Sequence, residues 1–580
     1  MDRHWLPRGG FRAVSVVIVL TVGLVVASTA MAAPAASPKS TDGARASAAP
    51  VAIVTVAGLD RLLADVDYVF QTVQRKDITD LLRGLLGNVG NLKGIDRKKP
   101  FGVVLYLQPG FPPRPTPIVF VPVSSMDDLL KTLSLGPLNS HKVAGQTDRY
   151  EIVTPDRKFA MRLRKNYVFI AGRADFLGGA LPDPVGLTRS AAAMYDVSVS
   201  VNLTQAPPMA RDMLRTLVLS RVASQRPRTE GESDRHHQLR RAMAERHRET
   251  VDMILKQATD LTIGWKLSSA KQIALLDVAL HAGRNTPLTK RLNSVTAGGS
   301  LFTGLFANRT VPLTAALSWM IDPAEGKLAV SLLESARDRF TAELSKAAAR
   351  SGDKAETERV RQQLIRLFEP LIGTARKRHL DAFIRVAGNP PGHFVLVGGV
   401  GLADGKEFPT ALDDVVKQVA SLSGEKDVQP NVLTFGGVSL HRIQLKKLSG
   451  SQRAFFGEKP SIYVGANRSI LWFAVGGDEA PPALKKTIGQ LADKTSAAAG
   501  TSLPFQLTLR ASSWLAMSSG EGKSKPLRDL GRRAFAKGGD ALRVDYRPTE
   551  QGTRLRMTFG EGFIRLLGLA IATQYDRRRP

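Results

Sequence analysis

Alternating apolar and polar residues recur in many short stretches of the chain. Clear examples are "YDVSVSVNL" (Tyr195 to Leu203) and "FQLTLRASS" (Phe505 to Ser513). A period of two residues predicts a β-strand with one buried face, whereas a period near 3.6 predicts a helix. Two longer stretches, "DLTIGWKLSSAKQIALLDVAL" (Asp260 to Leu280) and "ALRVDYRPTEQGTRLRMTF" (Ala541 to Phe559), are typical of a strand, a polar turn and a second strand.

The order of these patterns occurs twice. "MDDLLKTL" (Met126 to Leu133) returns as "LDDVVKQV" (Leu412 to Val419), and the hairpin pattern of Lys158 to Leu177 returns in Pro460 to Leu484. A long internal repeat of this kind governs the whole fold prediction. We therefore expect an α+β fold of two tandem repeats, each an antiparallel sheet covered by helices, with helical insertions.

The repeat also predicts the organisation of the chain. Residues 1–32 are expected to be a signal peptide, and residues 33–50 a flexible N-terminal linker. The first repeat unit is expected at 51–295 with a helical insertion at about 207–257, and the second at 296–576 with a helical insertion at about 324–378.

The N-terminal segment has the features of an export signal. Three arginines precede an apolar run from Ala13 to Val26, and the small-residue triplet Ala30, Met31, Ala32 follows. This pattern predicts export to the periplasm or the extracellular space, with cleavage after Ala32. An uncleaved anchor is the alternative. Since no later stretch reaches membrane-spanning length, we expect no transmembrane span after cleavage.

Composition narrows the possible chemistry. The chain has no cysteine, which excludes disulfides, thiol catalysis and cysteine-ligated metal centres. The net charge of +29 predicts an anionic partner, such as an envelope polymer or lipid headgroups. A protein partner remains open, and export disfavours nucleic acid.

The paired aspartates of the repeat are candidate catalytic or metal-binding residues. Asp127 and Asp128 follow Ser124 and Ser125 at the start of a helical pattern. Adjacent helical residues diverge by about 100°, so the two carboxylates do not converge on one proton or metal. Acidic residues are favoured in the first turn of a helix, and we interpret the pair as part of a helix start.

The histidines do not form a predicted metal site. His236, His237 and His247 lie on one helical pattern, in which His236 and His247 are about 16 Å apart along the axis, too far to share one ion. His441 stands alone in a strand pattern and is interpreted as a satisfied or exposed histidine.

Glycine-containing stretches resemble known motifs only in part. Gly522-Lys523-Ser524 imitates the end of a phosphate-binding loop, but Met517 occupies the place of its first glycine. "VGGVGLADG" (Val397 to Gly405) has Asp404 where a dinucleotide motif needs glycine, and we expect Pro409 to interrupt the helix that should follow.

Two further stretches are interpreted as structural elements. The nearest match to a nucleophile elbow, "GGVSLH" (Gly436 to His441), lies inside a strand pattern. Trp472 lies in the most apolar strand and is expected in the core. No catalytic, cofactor-binding or metal-ligating residue is therefore predicted, and no cofactor.

The strands "KPFGVVLYL", "IVFVPVSSMDDLLKTL" and "MRLRKNYVFIAG" resemble those of exported bacterial proteins grouped as a domain of unknown function, often internally duplicated. The resemblance implies an envelope or secreted location and carries no functional residue. We expect an exported, non-catalytic binding or structural protein of the bacterial envelope, with a basic surface that contacts an anionic envelope component or a protein partner. Two alternatives remain open. One is an enzyme with an unrecognised site in the cleft between the repeats; the other is a periplasmic chaperone-like carrier, which needs a large exposed apolar groove.

Overall fold

A computed structural model describes residues 49–578, with gaps at 109–112, 136–137, 223–233, 296–298, 308–310, 350–353, 389–392, 424–426, 447, 493–502 and 518–524. The predicted signal peptide and all but the last two residues of the predicted linker lie outside the described residues. The chain divides into two compact units. Unit 1 takes its described residues from Met1–Thr216, Ala258–Leu280 and Phe563–Pro580, and unit 2 from Leu217–Gln257 and His281–Gly562.

The sheet of unit 1 is antiparallel. Its described strands pair in the order β10, β9, β8, β1, β2, β3, β7, β6, β5, β4 when numbered along the chain. Their bounds are β1 Ala52–Val56, β2 Phe101–Gln108, β3 Arg114–Pro122, β4 Asn139–Lys142, β5 Arg149–Val153, β6 Lys158–Arg164, β7 Tyr167–Ala171, β8 Val197–Asn202, β9 Ala258–Ser268 and β10 Ile273–Ala282, of which the last two residues belong to unit 2.

The sheet of unit 2 is also antiparallel. Its described strands pair in the order β20, β19, β18, β11, β12, β13, β17, β16, β15, β14. Their bounds are β11 Leu313–Met320, β12 His379–Ala387, β13 Val395–Gly401, β14 Val428–Phe435, β15 Val438–Gln444, β16 Ser461–Ala466, β17 Ile470–Gly476, β18 Phe505–Arg510, β19 Ala541–Thr549 and β20 Gly552–Gly560.

Helices connect and cover these strands. They are α1 Leu59–Thr72, α2 Lys76–Asn88, α3 Met126–Ser134, α4 Pro184–Met194, α5 Pro208–Val222, α6 Asp234–Gln257, α7 Pro287–Ser294, α8 Pro323–Ala349, α9 Lys354–Arg376, α10 Phe408–Ser423, α11 Gly450–Phe456, α12 Ala480–Ala492, α13 Ala511–Met517, α14 Lys525–Phe535 and α15 Glu561–Arg578. The predicted mixture of helices with antiparallel sheet is confirmed.

Side-chain caps explain where several helices begin. The Ser125 hydroxyl accepts a hydrogen bond from the Asp128 backbone N–H at 3.3 Å, and the Asp183 carboxylate caps α4. At α11, Ser449 and Gln452 form a reciprocal capping box. Each cap satisfies backbone N–H groups that lack a partner in the first helical turn.

Each unit has an apolar core between sheet and helices. In unit 2, Trp472 packs edge-on against Phe302 at 6.2 Å and Phe383 at 5.9 Å between ring centroids. Leu484 of α12 is fully buried against the same cluster. In unit 1 the central cluster is formed by Val104, Ile118, Phe120, Tyr167, Phe169, Ala171, Leu177 and Leu181. The prediction that Trp472 lies in the core is confirmed.

Candidate ligand-binding face

One face of the strands β12, β11, β18, β19 and β20 in unit 2 carries mostly apolar side chains, with Thr553 at its edge. Directly opposed residues of antiparallel strands point to the same side of the sheet, so the registers define rows across this face. In strand order the rows are Val386-Leu313-Leu509-Leu542-Phe559, Ile384-Ala315-Leu507-Val544-Met557 and Ala382-Leu317-Phe505-Tyr546-Leu555.

This face retains solvent exposure. Every side chain of the three rows is half-buried or exposed except Val386, and Ile384 is 42% exposed. Trp319 extends the face beyond the third row, with its ring centroid 5.2 Å from that of Tyr546. Burial raises the pKa of the Tyr546 hydroxyl, as expected for a phenol with mostly apolar neighbours.

The opposite face of the same strands is mostly polar, with Gln506, Thr508, Arg543, Arg556 and Thr558 half-buried, whereas Ala316 and Phe383 on this side pack in the apolar core. The sheet side that carries Arg385 also carries Thr314, Ser318, Asp381 and Asp545, all nearly inaccessible to solvent. Apart from Ala316 and Phe383, the polarity of these strands is the reverse of that in an ordinary half-buried sheet, in which apolar residues face the core.

Hydrogen bonds hold the buried polar face in place. The Asp381 carboxylate accepts from the Ser300 hydroxyl at 2.7 Å and the Leu301 backbone N–H at 2.6 Å. Arg385 donates to the Gln490 side chain at 2.7 Å and the Leu305 carbonyl at 2.5 Å. Burial raises the pKa of Asp381 and lowers that of Arg385. This side is consequently part of the packed interior.

Unit 1 repeats this reversed polarity on β8, and its apolar face extends across the strands β2, β1, β8 and β9, although the opposite side of β1 and β2 also carries the apolar residues Ile53 and Val104. The rows are Phe101-Val56-Val197-Trp265, Val103-Val54-Val199-Ile263 and Leu105-Ala52-Val201-Leu261. Val199 and Ile263 lie opposite each other and are 37% and 42% exposed, whereas Thr55 and Ser198 on the other side are both 2% exposed. Both units thus present an accessible apolar sheet face, which we call the open face.

Helices cover one end of the open face in unit 1. Leu59 of α1 and Leu92 pack against Val56 and Phe101, and these residues form a buried cluster. The rows that contain Ile263 and Leu261 lie outside this cluster. The accessible part of the face is therefore centred on β8 and β9.

The aromatic ring of Tyr195 covers the polar side of β9 and β10. Tyr195 packs over Gly264, where a Cβ atom would lie 2.5 Å from the ring, and the Tyr195 hydroxyl donates to the buried Asp277 at 3.1 Å. Because side chains alternate along a strand, Leu276 and Val278 point away from this ring, to the open side.

A pair of carboxyl groups lies beside β8. Asp65 of α1 hydrogen bonds Asp196, which also pairs with Arg61 and accepts from the Leu267 backbone N–H at 2.5 Å. Burial, followed by the charge of Asp196 and this hydrogen bond, raises the pKa of Asp65 to about 7, although Arg61 opposes the shift. The pair joins α1 to the sheet.

A second buried polar group lies between α10 and the sheet of unit 2. The His441 Nδ1 atom accepts from the Asn431 backbone N–H at 3.3 Å and lies 4.0 Å from Asp413 Oδ1. Asp413 pairs with Lys417 at 2.5 Å. The sequence prediction that His441 is isolated in a strand missed Asp413, since the two residues meet only through the packing of α10.

The other candidates from the sequence remain apart. Asp127 and Asp128 lie in the first turn of α3, as predicted, whereas the equivalent Asp413 lies in the second turn of α10. His247 is exposed on α6. The side chain of His236 and the stretch Gly522-Lys523-Ser524 lie outside the described residues.

One detail of the sequence interpretation is wrong. Pro409 does not interrupt the helix after the glycine-rich stretch, because it occupies the first turn of α10. A proline is tolerated there, since the N–H that it lacks has no partner within the helix.

Comparisons with protein-family models, curated proteins and solved structures gave no match. Within the described part of the chain, no group of three or more acidic or histidine side chains is arranged to hold a metal ion. No described helix is both long and apolar enough to cross a bilayer.

Proposed function

We propose that the protein is an exported, non-catalytic binding protein of the envelope that holds an apolar or amphipathic ligand, such as a lipid, on its open sheet faces. The observation that carries this proposal is the reversed polarity of the strands, with Ile384 exposed and the neighbouring Arg385 buried. This proposal corresponds to the periplasmic carrier that the sequence left open as an alternative, because that function requires an accessible apolar surface.

The size of the open face suits a hydrocarbon chain. Five strands at the usual spacing span about 19 Å, and three rows extend about 13 Å along the strands. Soluble monomers rarely expose large contiguous apolar patches unless they serve binding. Covering such a surface gains about 25 cal/mol for each Å² of apolar area removed from water.

Matching strand orders support an internal duplication. Numbered from the first strand of each unit, the pairing orders of unit 1 and unit 2 are the same. The sequence matches between Met126 to Leu133 and Leu412 to Val419 point in the same direction. We therefore assign one ligand-binding face to each of two tandem repeats.

The proposed location rests on the N-terminal sequence. The arginines and the apolar run before Ala32 support export, and a periplasmic or extracellular carrier fits a cysteine-free chain whose stability comes from packing. An amphipathic ligand with an anionic headgroup also agrees with the net charge of +29.

The test combines native mass spectrometry of the purified chain with titration of an environment-sensitive fluorescent fatty acid. We expect a copurifying amphiphile and saturable binding that Ile384→Asp weakens at least about tenfold, because the substitution places a charge on the face. Val432→Asp is the matched control, since Val432 also lies in a strand of unit 2 and is 40% exposed, but outside the open face. Equal effects of the two substitutions, or no binding, would contradict the proposal.

A further inference from the structure

The helices α1 and α2 of unit 1 are held together near both of their ends. Close to residues 73–75, which connect them, Phe70 and Ile78 pack in one buried cluster. At the other end, Leu59 and Leu92 pack in the cluster that covers part of the open face. Between these clusters lies a cavity of about 460 Å³. Its volume falls within the range of about 300–1,000 Å³ that small-molecule sites occupy.

The walls of this cavity are mainly apolar. Leu63 and Val66 of α1 and Leu82 and Leu86 of α2 line it, and all four side chains are half-buried. Thr79 also lines it and lies seven residues before Leu86, so α2 contributes a wall about 10 Å long. A wall of this length fits a medium-length hydrocarbon chain.

The corresponding helix pair of unit 2 is packed differently. α8 and α9 hold the same position in the order of elements, between the first two strands of their unit. Phe368 and Ile372 of α9 are buried in a cluster that includes Leu333 of α8. A depression at the base of this pair is lined by Val330 together with mainly small and cationic residues. In the described part of the chain, a mainly apolar cavity between these helices is therefore particular to unit 1.

The charged groups of the cavity favour an anion. Asp67 of α1 and Arg83 of α2 form an ion pair at 2.7 Å that bridges the two helices. With Arg97, the lining has two guanidinium groups and one carboxylate, a net charge of +1. The neighbouring carboxylates of Asp60 and Asp80 lie outside the lining and are exposed, so solvent screens their charge.

Arg97 retains donors for a ligand. Its Nε atom pairs with Asp60 at 2.7 Å, whereas its two terminal nitrogens make no hydrogen bond to any residue that the structure describes. Asn91 lines the cavity as well, in the left-handed turn that follows α2, with φ +53°. Its side-chain amide is a second donor beside Arg97.

We propose that this cavity binds a medium-chain monocarboxylate, at a site separate from the open faces. The hydrocarbon chain lies between Leu63 and Val66 on one side and Leu82 and Leu86 on the other. The carboxylate accepts hydrogen bonds from the terminal nitrogens of Arg97, and charge-assisted bonds of this kind are the strong ones. The ligand balances the net charge of the lining.

The experiment is isothermal titration calorimetry of the full purified chain with three ligands that share one chain length. These are octanoate, octanol and octyltrimethylammonium. We expect saturable binding of octanoate, at least about tenfold tighter than that of the other two, because only the carboxylate pairs with a guanidinium group. Absence of octanoate binding would overturn the site, and equal or tighter binding of octanol or the cation would overturn the anionic end group.

Arg97→Gln tests the residue that holds the carboxylate. Octanoate affinity should fall at least about tenfold, while the weaker binding of octanol stays unchanged. Lys93→Gln is the matched control, since it removes one positive charge at an exposed position of the same turn and should change octanoate affinity less than about threefold. Equal losses in the two variants would overturn the role of Arg97.

Val66→Phe tests the cavity itself. The added ring occupies empty space, so octanoate binding should be lost without a lower melting temperature. Val185→Phe, at a position of α4 that is 38% exposed, is the control and should leave binding unchanged. Retained octanoate binding in Val66→Phe, or a lower melting temperature, would contradict an open cavity at this position.

The cavity and the open faces can fail independently. Ile384→Asp, on the open face of unit 2, should leave octanoate binding to the cavity of unit 1 unchanged. Val66→Phe should in turn leave the titration of the open face with the fluorescent fatty acid unchanged. Loss of octanoate binding in Ile384→Asp would place that ligand on the open face and overturn the cavity as its site.

Discussion

Ile384 and Arg385 are consecutive residues of β12, yet Ile384 is 42% exposed and Arg385 is 3% exposed. The same inversion separates Val199 from Ser198 in β8. Burying an arginine costs free energy that only hydrogen bonds offset, and exposing isoleucine forgoes burial that would stabilise the fold. Such an arrangement supports the proposal that a ligand covers this surface.

Two tryptophans of unit 2 should respond differently to truncation. Trp472→Ala empties a site inside the core and should cost about 3–5 kcal/mol in the free energy of unfolding. Trp319→Ala, on the half-buried open face, should cost about 1–2 kcal/mol but weaken fatty-acid binding. Urea unfolding followed by circular dichroism, together with the fluorescence titration, checks both. A larger stability loss for Trp319→Ala would contradict the assignment of the faces.

Asp65 should make the stability of unit 1 depend on pH. Its pKa rises from the ordinary 3.8 to about 7, so the folded state keeps a proton that the unfolded chain releases. Stability should therefore fall as pH rises through this window. Asp65→Asn should flatten the profile and stabilise the protein by about 1–2 kcal/mol near pH 8, a value reduced for solvent screening.

The control for Asp65 is Asp80→Asn, at an exposed position of α2. Thermal unfolding across the pH range should show no flattening with this variant. If Asp65→Asn followed the wild-type profile instead, the raised pKa of Asp65 would be ruled out as the cause of the pH dependence.

His441 should act in the opposite direction in unit 2. Burial lowers its pKa, with a smaller opposing effect of Asp413, so the folded state keeps the ring neutral. The unfolded chain takes up a proton below the ordinary value of 6.5, and stability should therefore fall as pH drops below it. His441→Asn keeps an acceptor for the Asn431 N–H and should weaken this dependence, measured by urea unfolding. His247→Asn, exposed on α6, is the control and should retain the wild-type slope.

Two glycines with left-handed backbone should differ in their tolerance of alanine. Gly94 has φ +88°, and a Cβ there would lie 2.2 Å from the Leu129 backbone nitrogen. Gly145 has φ +74° and no atom within 4 Å of an added Cβ. We expect Gly145→Ala to cost about 1 kcal/mol and Gly94→Ala more than about 3 kcal/mol, because only the latter displaces the start of α3. Similar thermal shifts for the two variants would contradict the close approach.

Local patterns predicted the elements that carry the open faces. The alternation in Tyr195 to Leu203, Asp260 to Leu280, Phe505 to Ser513 and Ala541 to Phe559 corresponds to β8, β9, β10, β18, β19 and β20. Strand alternation, the Ser125 cap and the turn after β16 at Asn467 each depend only on residues close together in the chain. They can therefore be predicted from a single sequence.

Contacts between distant residues were not predictable in the same way. Asp413 and His441 are 28 positions apart and meet because α10 packs on β15; Asp65 and Asp196 meet because α1 packs beside β8. The residues around these positions do not indicate that the pairs form, since aspartate and histidine are common in such helices and strands.

The sequence by itself determined that strands would alternate, that a helix begins at Met126, and that the chain carries a positive net charge, because these properties belong to local backbone geometry and to summed charge. Tertiary structure alone decided which side of each strand faces solvent. Alternation defines two faces but does not say which one the helices cover, and here the polar face of β8 and β11 is covered while Val199 and Leu317 remain open.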